Sequence, residues 1–284
     1  MKKFIFLLIF AFASPALWAC DACGCGPGAA FLQLFPNYKY HSLSVGVQNY
    51  SGARDRVISS QGTLSIRWND SLSLKVGSTH VTSHFDVRNT LNQWESYTLS
   101  GWSDPFVGLS LKRQKGISRF QWHGRLFFPL AAGDGRNNAG QLLPITYQLG
   151  AGNFTGDFQF TYSRGDSYRG VLSDVYLQRG LINRYGSRKS FQEMVGVFYY
   201  QSKEGVGNTH RLLTGLQLKR MGASLESGAE HTPEALLLNA SVQYLYMLPQ
   251  GILYVGYSPM LKQWGTDEFV QKQNIQLGMS LFFR

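Results

Sequence analysis

The segment Gln273–Arg284 alternates apolar and polar side chains almost without error. Ile275, Leu277, Met279, Leu281 and Phe283 fall on one face; Asn274, Gln276, Gly278 and Ser280 fall on the other. Successive residues of a strand point to opposite sides, so this is a ribbon with one oily side. A water-soluble sheet has little reason to finish on a fully apolar face capped by Phe283. A strand that shows lipid one face and a lumen the other does. The segment predicts an all-β chain, a transmembrane antiparallel β-barrel.

The same grammar runs through the chain. Tyr40–Tyr50 carries Leu43, Val45 and Val47, and Thr63–Asn69 carries Leu64, Ile66 and Trp68. Ser71–Thr82 repeats the pattern through Leu72, Leu74 and Val76, with Asn69-Asp70 as a turn signal before it. Further strands are expected at about 105–114, 117–129, 141–151, 156–164, 190–202, 210–221, 235–248, 251–261 and 272–283, giving about 12, an even number as in single-chain bacterial barrels. Segments 83–104 and 165–189 are each long enough to hide another strand, so 14 is the alternative. The short connections are Asn69-Asp70, Lys115-Gly116, Gly152–Thr155, Glu204–Asn208 and Pro249-Gln250. They alternate with longer ones at 51–62, 83–104, 130–140, 165–189, 222–234 and 262–271. That segregation predicts short turns on the periplasmic side and longer loops outside.

The N-terminus reads as a secretory signal, residues 1–19: basic Lys2 and Lys3, apolar Phe4–Ala13, and Leu17-Trp18-Ala19 before Cys20. Its apolar run is too short to span a bilayer, and Ser14-Pro15 breaks it. Residues 20–38 are expected to form a periplasmic segment or a plug, and residues 39–284 the barrel. The expected location is the bacterial outer membrane, with the N-terminus periplasmic. The 31 Gly, 15 Tyr and 19 Phe suit short strands and aromatic girdles. The formal charge is +10, or +8 without Lys2 and Lys3. An exported chain lacking a basic run is no nucleic-acid binder. The excess charge is assigned instead to outer-membrane lipid and lipopolysaccharide, to solvated loops, or to the lumen.

Gln273–Phe283 also resembles the C-terminal assembly signal of bacterial outer-membrane barrels, with Arg284 as a departure from it. Three short motifs carry a second resemblance: Gly101-Trp102-Ser103-Asp104-Pro105 leading into Val107-Gly108-Leu109, then Leu126-Phe127-Phe128-Pro129, then Gln148-Leu149-Gly150-Ala151-Gly152. They are similar to the phenol-degradation (meta-pathway) type of outer-membrane transporter, which implies a barrel that passes small molecules.

With the apolar face toward lipid, the inward residues follow by parity. Phe120, Trp122, Leu126 and Phe128 face out, which leaves Arg119, Gln121, His123 and Arg125 inside. Val107, Leu109 and Leu111 face out, which leaves Ser110 and Lys112 inside; Arg67, Lys75 and Lys219 also land there. A lumen lined by one sign of charge concentrates the opposite ion, so Arg67, Lys75, Lys112, Arg119, His123, Arg125 and Lys219 predict a pore for a small anionic solute. The competing reading pairs these groups with carboxylates such as Asp134 or Asp157, or with an inserted N-terminal segment.

All three cysteines lie in Cys20-Asp21-Ala22-Cys23-Gly24-Cys25. Thiolates at this spacing can wrap a soft ion, Cu(I) or Zn(II), and three suit capture and handover to a periplasmic metal-handling protein. A metal-bound solute is then the other cargo expected of the pore. Two alternatives stay open: lipidation of Cys20, since Leu17 and Ala19 match a lipobox, and disulfide formation in an oxidising compartment. The Cys motif also resembles that of an uncharacterised Bacteroidetes family of outer-membrane barrels, for which copper handling would fit. A non-conducting metal-binding or partner-binding barrel, or a lipidated structural one, is the alternative function.

His80, Ser83, His84 and Asp86 are the residues with catalytic or ligand chemistry near an outer loop, but their spacing fits no triad. The chain is expected to be no enzyme.

Overall fold

Polar side chains are buried in this protein and large apolar ones are exposed, the reverse of a water-soluble fold. Lys75, Gln121, His123, Asp174 and Gln276 are buried, while Leu109, Val197, Leu216 and Leu277 are each about half exposed.

The computed structural model describes residues 41–52, 55–88, 94–131, 148–183, 186–188, 191–222, 224–226, 229–230, 234–265 and 273–283. In chain order its strands are β1 (His41–Ser51), β2 (Asp55–Arg67), β3 (Leu72–Arg88), β4 (Trp94–Trp102), β5 (Phe106–Lys115), β6 (Ser118–Phe127), β7 (Thr155–Gly165) and β8 (Arg169–Gly180). They continue as β9 (Gln192–Gly205), β10 (Asn208–Met221), β11 (Leu225–Glu226), β12 (Ala229–Glu230), β13 (Ala235–Leu248), β14 (Gly251–Gly265) and β15 (Gln273–Phe283).

Twelve of these strands close an antiparallel barrel in the order β1, β2, β3, β5, β6, β7, β8, β9, β10, β13, β14, β15. Closure is made by β15 on β1, with His41 opposite Phe283 and Ser51 opposite Gln273. The two-residue β11 and β12 pair with each other. Along one edge of β3, Leu72–Gly77 pairs with β5 and His80–Arg88 pairs with β4, so β3 and β4 continue past the barrel wall as a hairpin.

Membership of the twelve differs from the sequence reading. β8 runs through the expected loop 165–189, and β4 through the expected loop 83–104. The strand expected at 141–151 does not form at Gln148–Ala151, and its remainder lies outside the described residues. β8 escapes a period-two reading because Leu172 and Tyr176 point inward while Val171, Val175 and Leu177 point out. β2 starts at Asp55, within the expected loop 51–62, because Ser59-Ser60-Gln61-Gly62 is polar on both faces.

The connections 68–71, 116–117, 166–168, 206–207 and 249–250 share one end of the barrel. Gly116 (φ 60°) and Gly207 (φ 73°) supply the left-handed conformation that two of these tight turns need. The expected turn at Gly152–Thr155 gives way to 166–168, and at the other end only 52–54 is comparably short.

The outward band has membrane dimensions. On β13, Leu236, Leu238, Ala240, Val242, Tyr244 and Tyr246 face out, and ten residues at a rise of ~3.3 Å and a tilt of ~40° span ~25 Å. Past the band, the β3–β4 hairpin turns hydrophilic: Thr82–Ser100 (2.9 Å), His84–Thr98 (2.8 Å) and Asp86–Ser96 (2.7 Å) form a ladder of polar pairs. Trp102 and His80 mark the changeover, their rings 5.4 Å apart and edge-on, where an aromatic belt belongs.

Inside, aromatic rings lie flat over glycines of neighbouring strands. A Cβ on Gly215 would stand 2.5 Å from Phe198 Cδ1, and one on Gly278 would stand 2.4 Å from Tyr254 Cε1. The missing side chains leave slots that the rings fill.

Candidate functional site

The structure places Arg67, Lys75, Lys112, Arg119, His123 and Arg125 on the inward face of four adjacent strands, β2, β3, β5 and β6. Cross-strand register brings them together: Ser65 stands opposite Lys75, Gly108 lies between Lys75 and Arg125, and Ser110 faces His123. Lys219 sits apart, on β10 across the lumen.

Each cation is held differently. Arg67 is at the short-turn mouth, ion-paired with the exposed Asp70 and donating through Nε to Asn69 O (2.9 Å). Arg125 donates through Nε to both oxygens of Asp157 (3.0 and 2.9 Å) and also pairs through Nη2. Tyr176 Oη adds a hydrogen bond to Asp157 Oδ2 (3.2 Å), and Arg125 Cζ lies 5.0 Å from the Phe106 ring centroid. The reading in which Asp157 neutralises an inward cation therefore holds for Arg125; Asp134 lies outside the described residues. Lys75 has no carboxylate or hydrogen-bond partner among the described residues. It is buried in the fields of Lys112 and Arg125. Lys112 in turn lies in the field of Arg67. Arg119 Nε is buried with no hydrogen-bond partner among the described residues.

Parity missed two inward groups that matter. Arg211 on β10 donates to Ser202 Oγ (2.6 Å) and to Ser167 O (3.3 Å), and stacks 4.8 Å over Tyr200. Its strand reads Arg211-Leu212-Leu213, so either face could have been the oily one. Asp174 on β8 is fully buried and accepts from Gln159 Nε2 (3.0 and 2.8 Å) and Thr161 Oγ1 (2.8 Å).

The other candidate residues are not gathered. Ser83 points inward, whereas His80, His84 and Asp86 are on the outward face of β3, so no Ser–His pair forms there. Among the described residues no group of three His, Cys, Asp or Glu converges as for a metal. Ser110 Oγ lies 2.8 Å from His123 Nδ1, but Ser110 is fully buried. Cys20, Cys23 and Cys25 lie outside the described residues.

At the long-loop end the three resemblance motifs meet. Asp104 accepts from the backbone N–H of Ala131 (2.9 Å) and of Ala151 (2.8 Å). A Cβ on Gly150 would stand 2.6 Å from Ala131 O. These residues fasten both ends of the β6–β7 connection to the rim, a structural task.

No protein-family model matches the chain, and no curated protein does. Solved structures do. The COG4313 outer membrane channel from Pseudomonas putida F1 matches at 14% identity and TM-score 0.61, over 86% of this chain and 95% of that one. The β domain of the Bordetella autotransporter BrkA matches at 12% identity and TM-score 0.51, over 87% and 100%. The fold is that of an outer-membrane β-barrel. The expectation that the chain is no enzyme is corrected by the same comparison. It includes LpxR from Salmonella typhimurium, a lipid A deacylase, at 9% identity and TM-score 0.48, over 85% and 100%.

Proposed function

We propose that the protein is an outer-membrane channel for small anionic solutes, with its short-turn end toward the periplasm. The observation that carries this reading is the set of inward basic side chains gathered on β3, β5 and β6, Lys75, Lys112, Arg119 and Arg125, of which Arg125 is paired with a carboxylate, that of Asp157. Cations held in a narrow lumen concentrate anions and repel cations. The likeness to a solved outer-membrane channel supports a conducting barrel over a sealed one. The test is the reversal potential of the purified protein in planar bilayers across a KCl gradient. Wild type should favour chloride, and Lys75→Gln with Lys112→Gln should move the potential toward zero. An unchanged potential in the double variant would sink the proposal.

The Cys20, Cys23, Cys25 tail adds a soft-metal function to this reading, on the strength of its thiolate spacing. Cu(I) or Zn(II) held there would be passed to a periplasmic metal-handling partner or loaded as cargo. Near-stoichiometric metal in reduced, purified protein that disappears in Cys23→Ser/Cys25→Ser supports it; no metal in either form returns the cysteines to lipidation or disulfide chemistry.

A further inference from the structure

Four neighbouring strands, β13, β14, β15 and β1, put no charged side chain on the inward face among the described residues. Their inward residues are glycine, serine, amide, aromatic and aliphatic, and they are ordered in rows across the strands. One row reads Gln48 on β1, Gln276 on β15, Gly256 on β14 and Gln243 on β13, each opposite the next. A Cβ on Gly256 would stand 3.3 Å from Gln243 Cγ and 3.6 Å from Gln276 Oε1, so two amides lean over this glycine from both sides. Asn274 lies one row nearer the long-loop end, opposite Ser258, whose Oγ donates to Ser241 Oγ (3.1 Å).

These amides are buried and yet unsatisfied. Gln48, Asn274 and Gln276 are 9%, 7% and 6% exposed, and Gln48 Nε2, Asn274 Oδ1 and Gln276 Oε1 have no hydrogen-bond partner among the described residues. Buried polar atoms are nearly always hydrogen-bonded, because an orphaned one has lost water and gained nothing. A bond between Gln48 and Gln276 would use one donor and one acceptor and leave Asn274 as it is. Access is along β14, where Tyr254 and Ser258, on either side of Gly256, are only part-buried. Tyr254 lays its ring over Gly46 and Gly278, the next row toward the short-turn end.

We infer that this sector is a binding site for a polyhydroxylated group, with the chemistry of a sugar alcohol or saccharide. A side-chain amide offers donors and an acceptor side by side, and so does a pair of vicinal hydroxyls. Gln48, Gln243, Gln276 and Asn274 would bond the hydroxyls of such a ligand, with Ser258 reaching it from β14. An inorganic anion finds no counter-charge here. An ether accepts but cannot donate, so it satisfies Gln48 Nε2 and leaves the orphaned oxygens as they are. The inference goes beyond the anion-channel reading: the basic residues of β3, β5 and β6 act on charge, and this sector acts on hydroxyls.

The experiment is saturation-transfer NMR on the purified protein in detergent, with sorbitol and triethylene glycol dimethyl ether as probes. Block of current in planar bilayers by the same two compounds accompanies it. Sorbitol should receive saturation, and should block at about tenfold lower concentration than the ether. Block should strengthen from glycerol to xylitol to sorbitol. Gln48→Leu with Gln276→Leu should weaken sorbitol binding about tenfold. Gel mobility of the unheated protein reports whether that variant is folded, and the probe series on wild type needs no variant. No saturation of sorbitol overturns the inference, since the amides then bond only to water. Equal binding of sorbitol and the ether overturns it too, as does a folded variant that binds sorbitol like wild type. A barrel without anion preference removes the proposed function and leaves this test intact, because the NMR readout needs no current.

Discussion

β6 and β10 face opposite ways across the same lumen, and they solve the same problem differently. Both give lipid an apolar face, through Trp122 and Leu126 on β6 and Leu212 and Leu216 on β10. Their inward faces diverge. β6 presents Arg119, Gln121, His123 and Arg125, whereas β10 presents Arg211, Leu213, Gly215, Gln217 and Lys219. The medium outside imposes one requirement on every strand, and the lumen imposes none in common. What each wall puts inside is therefore free to encode function.

If the lipid faces are equivalent, breaking them should cost the same on either wall. Leu109→Arg on β5 and Leu216→Arg on β10 each replace an exposed leucine of the band. Each should lower stability by about 2–4 kcal/mol if it sits near the midplane, measured by urea unfolding in lipid vesicles. A cost for one and not the other would mean that one of these faces is shielded from lipid.

The inward faces should respond in unlike ways. Asp157→Asn removes the carboxylate that Arg125 and Tyr176 share. The pair is buried, so leaving Arg125 without its carboxylate should cost about 3–5 kcal/mol of stability, together with a larger chloride preference. A variant with unchanged selectivity would show that Arg125 contributes nothing to the field in the pore. On β10 the sensitive quantity is packing. Gly215→Val drives a side chain into the Val197 carbonyl and the Phe198 ring and should cost about 1–3 kcal/mol, while Gly62→Val, with nothing within 4 Å of its Cβ, should be neutral or stabilising through strand propensity. Equal effects at the two glycines would deny that the rings are packed into the slots.

The same contrast explains what the sequence makes legible. Strands whose two faces differ, such as β15 and β6, are plain in the sequence because lipid forces one face to be apolar and water lets the other be polar. β8 is not, because inward Leu172 and Tyr176 erase the alternation. The first half of β2 is hidden by the opposite fault, polar residues on both faces. Parity places Arg119 and Arg125 inside, but it cannot place Leu213, since an inward leucine in a barrel reads as an outward one. Nor does alternation reveal pairing across strands. The bond from Arg125 to Asp157 joins residues on β6 and β7, and fixing it takes the register.

The smallest effect is expected where neither wall reaches, in the short turn 166–168. Asp166 Oδ1 accepts from the backbone N–H of Arg169 (2.8 Å) and of Tyr168 (2.8 Å). Those two hydrogen bonds, that of Arg169 first, hold its carboxyl below the usual carboxylate range. A group whose pKa is depressed by folding contributes stability above its unfolded pKa and loses it as pH falls through the folded one. The turn should therefore be intact at neutral pH and weaken only in acid, below the ordinary carboxylate range. Tyr200 Oη donates to Asp166 O (2.9 Å) and Arg211 reaches Ser167 O, so this turn is tied to the inward faces of β9 and β10. Asp166→Asn should abolish the acid-dependent part of amide exchange at Tyr168 and Arg169 and leave exchange on β6 unchanged. Loosening that spread to β6 as well would mean that the two walls are mechanically one, and the contrast between them would be one of chemistry alone.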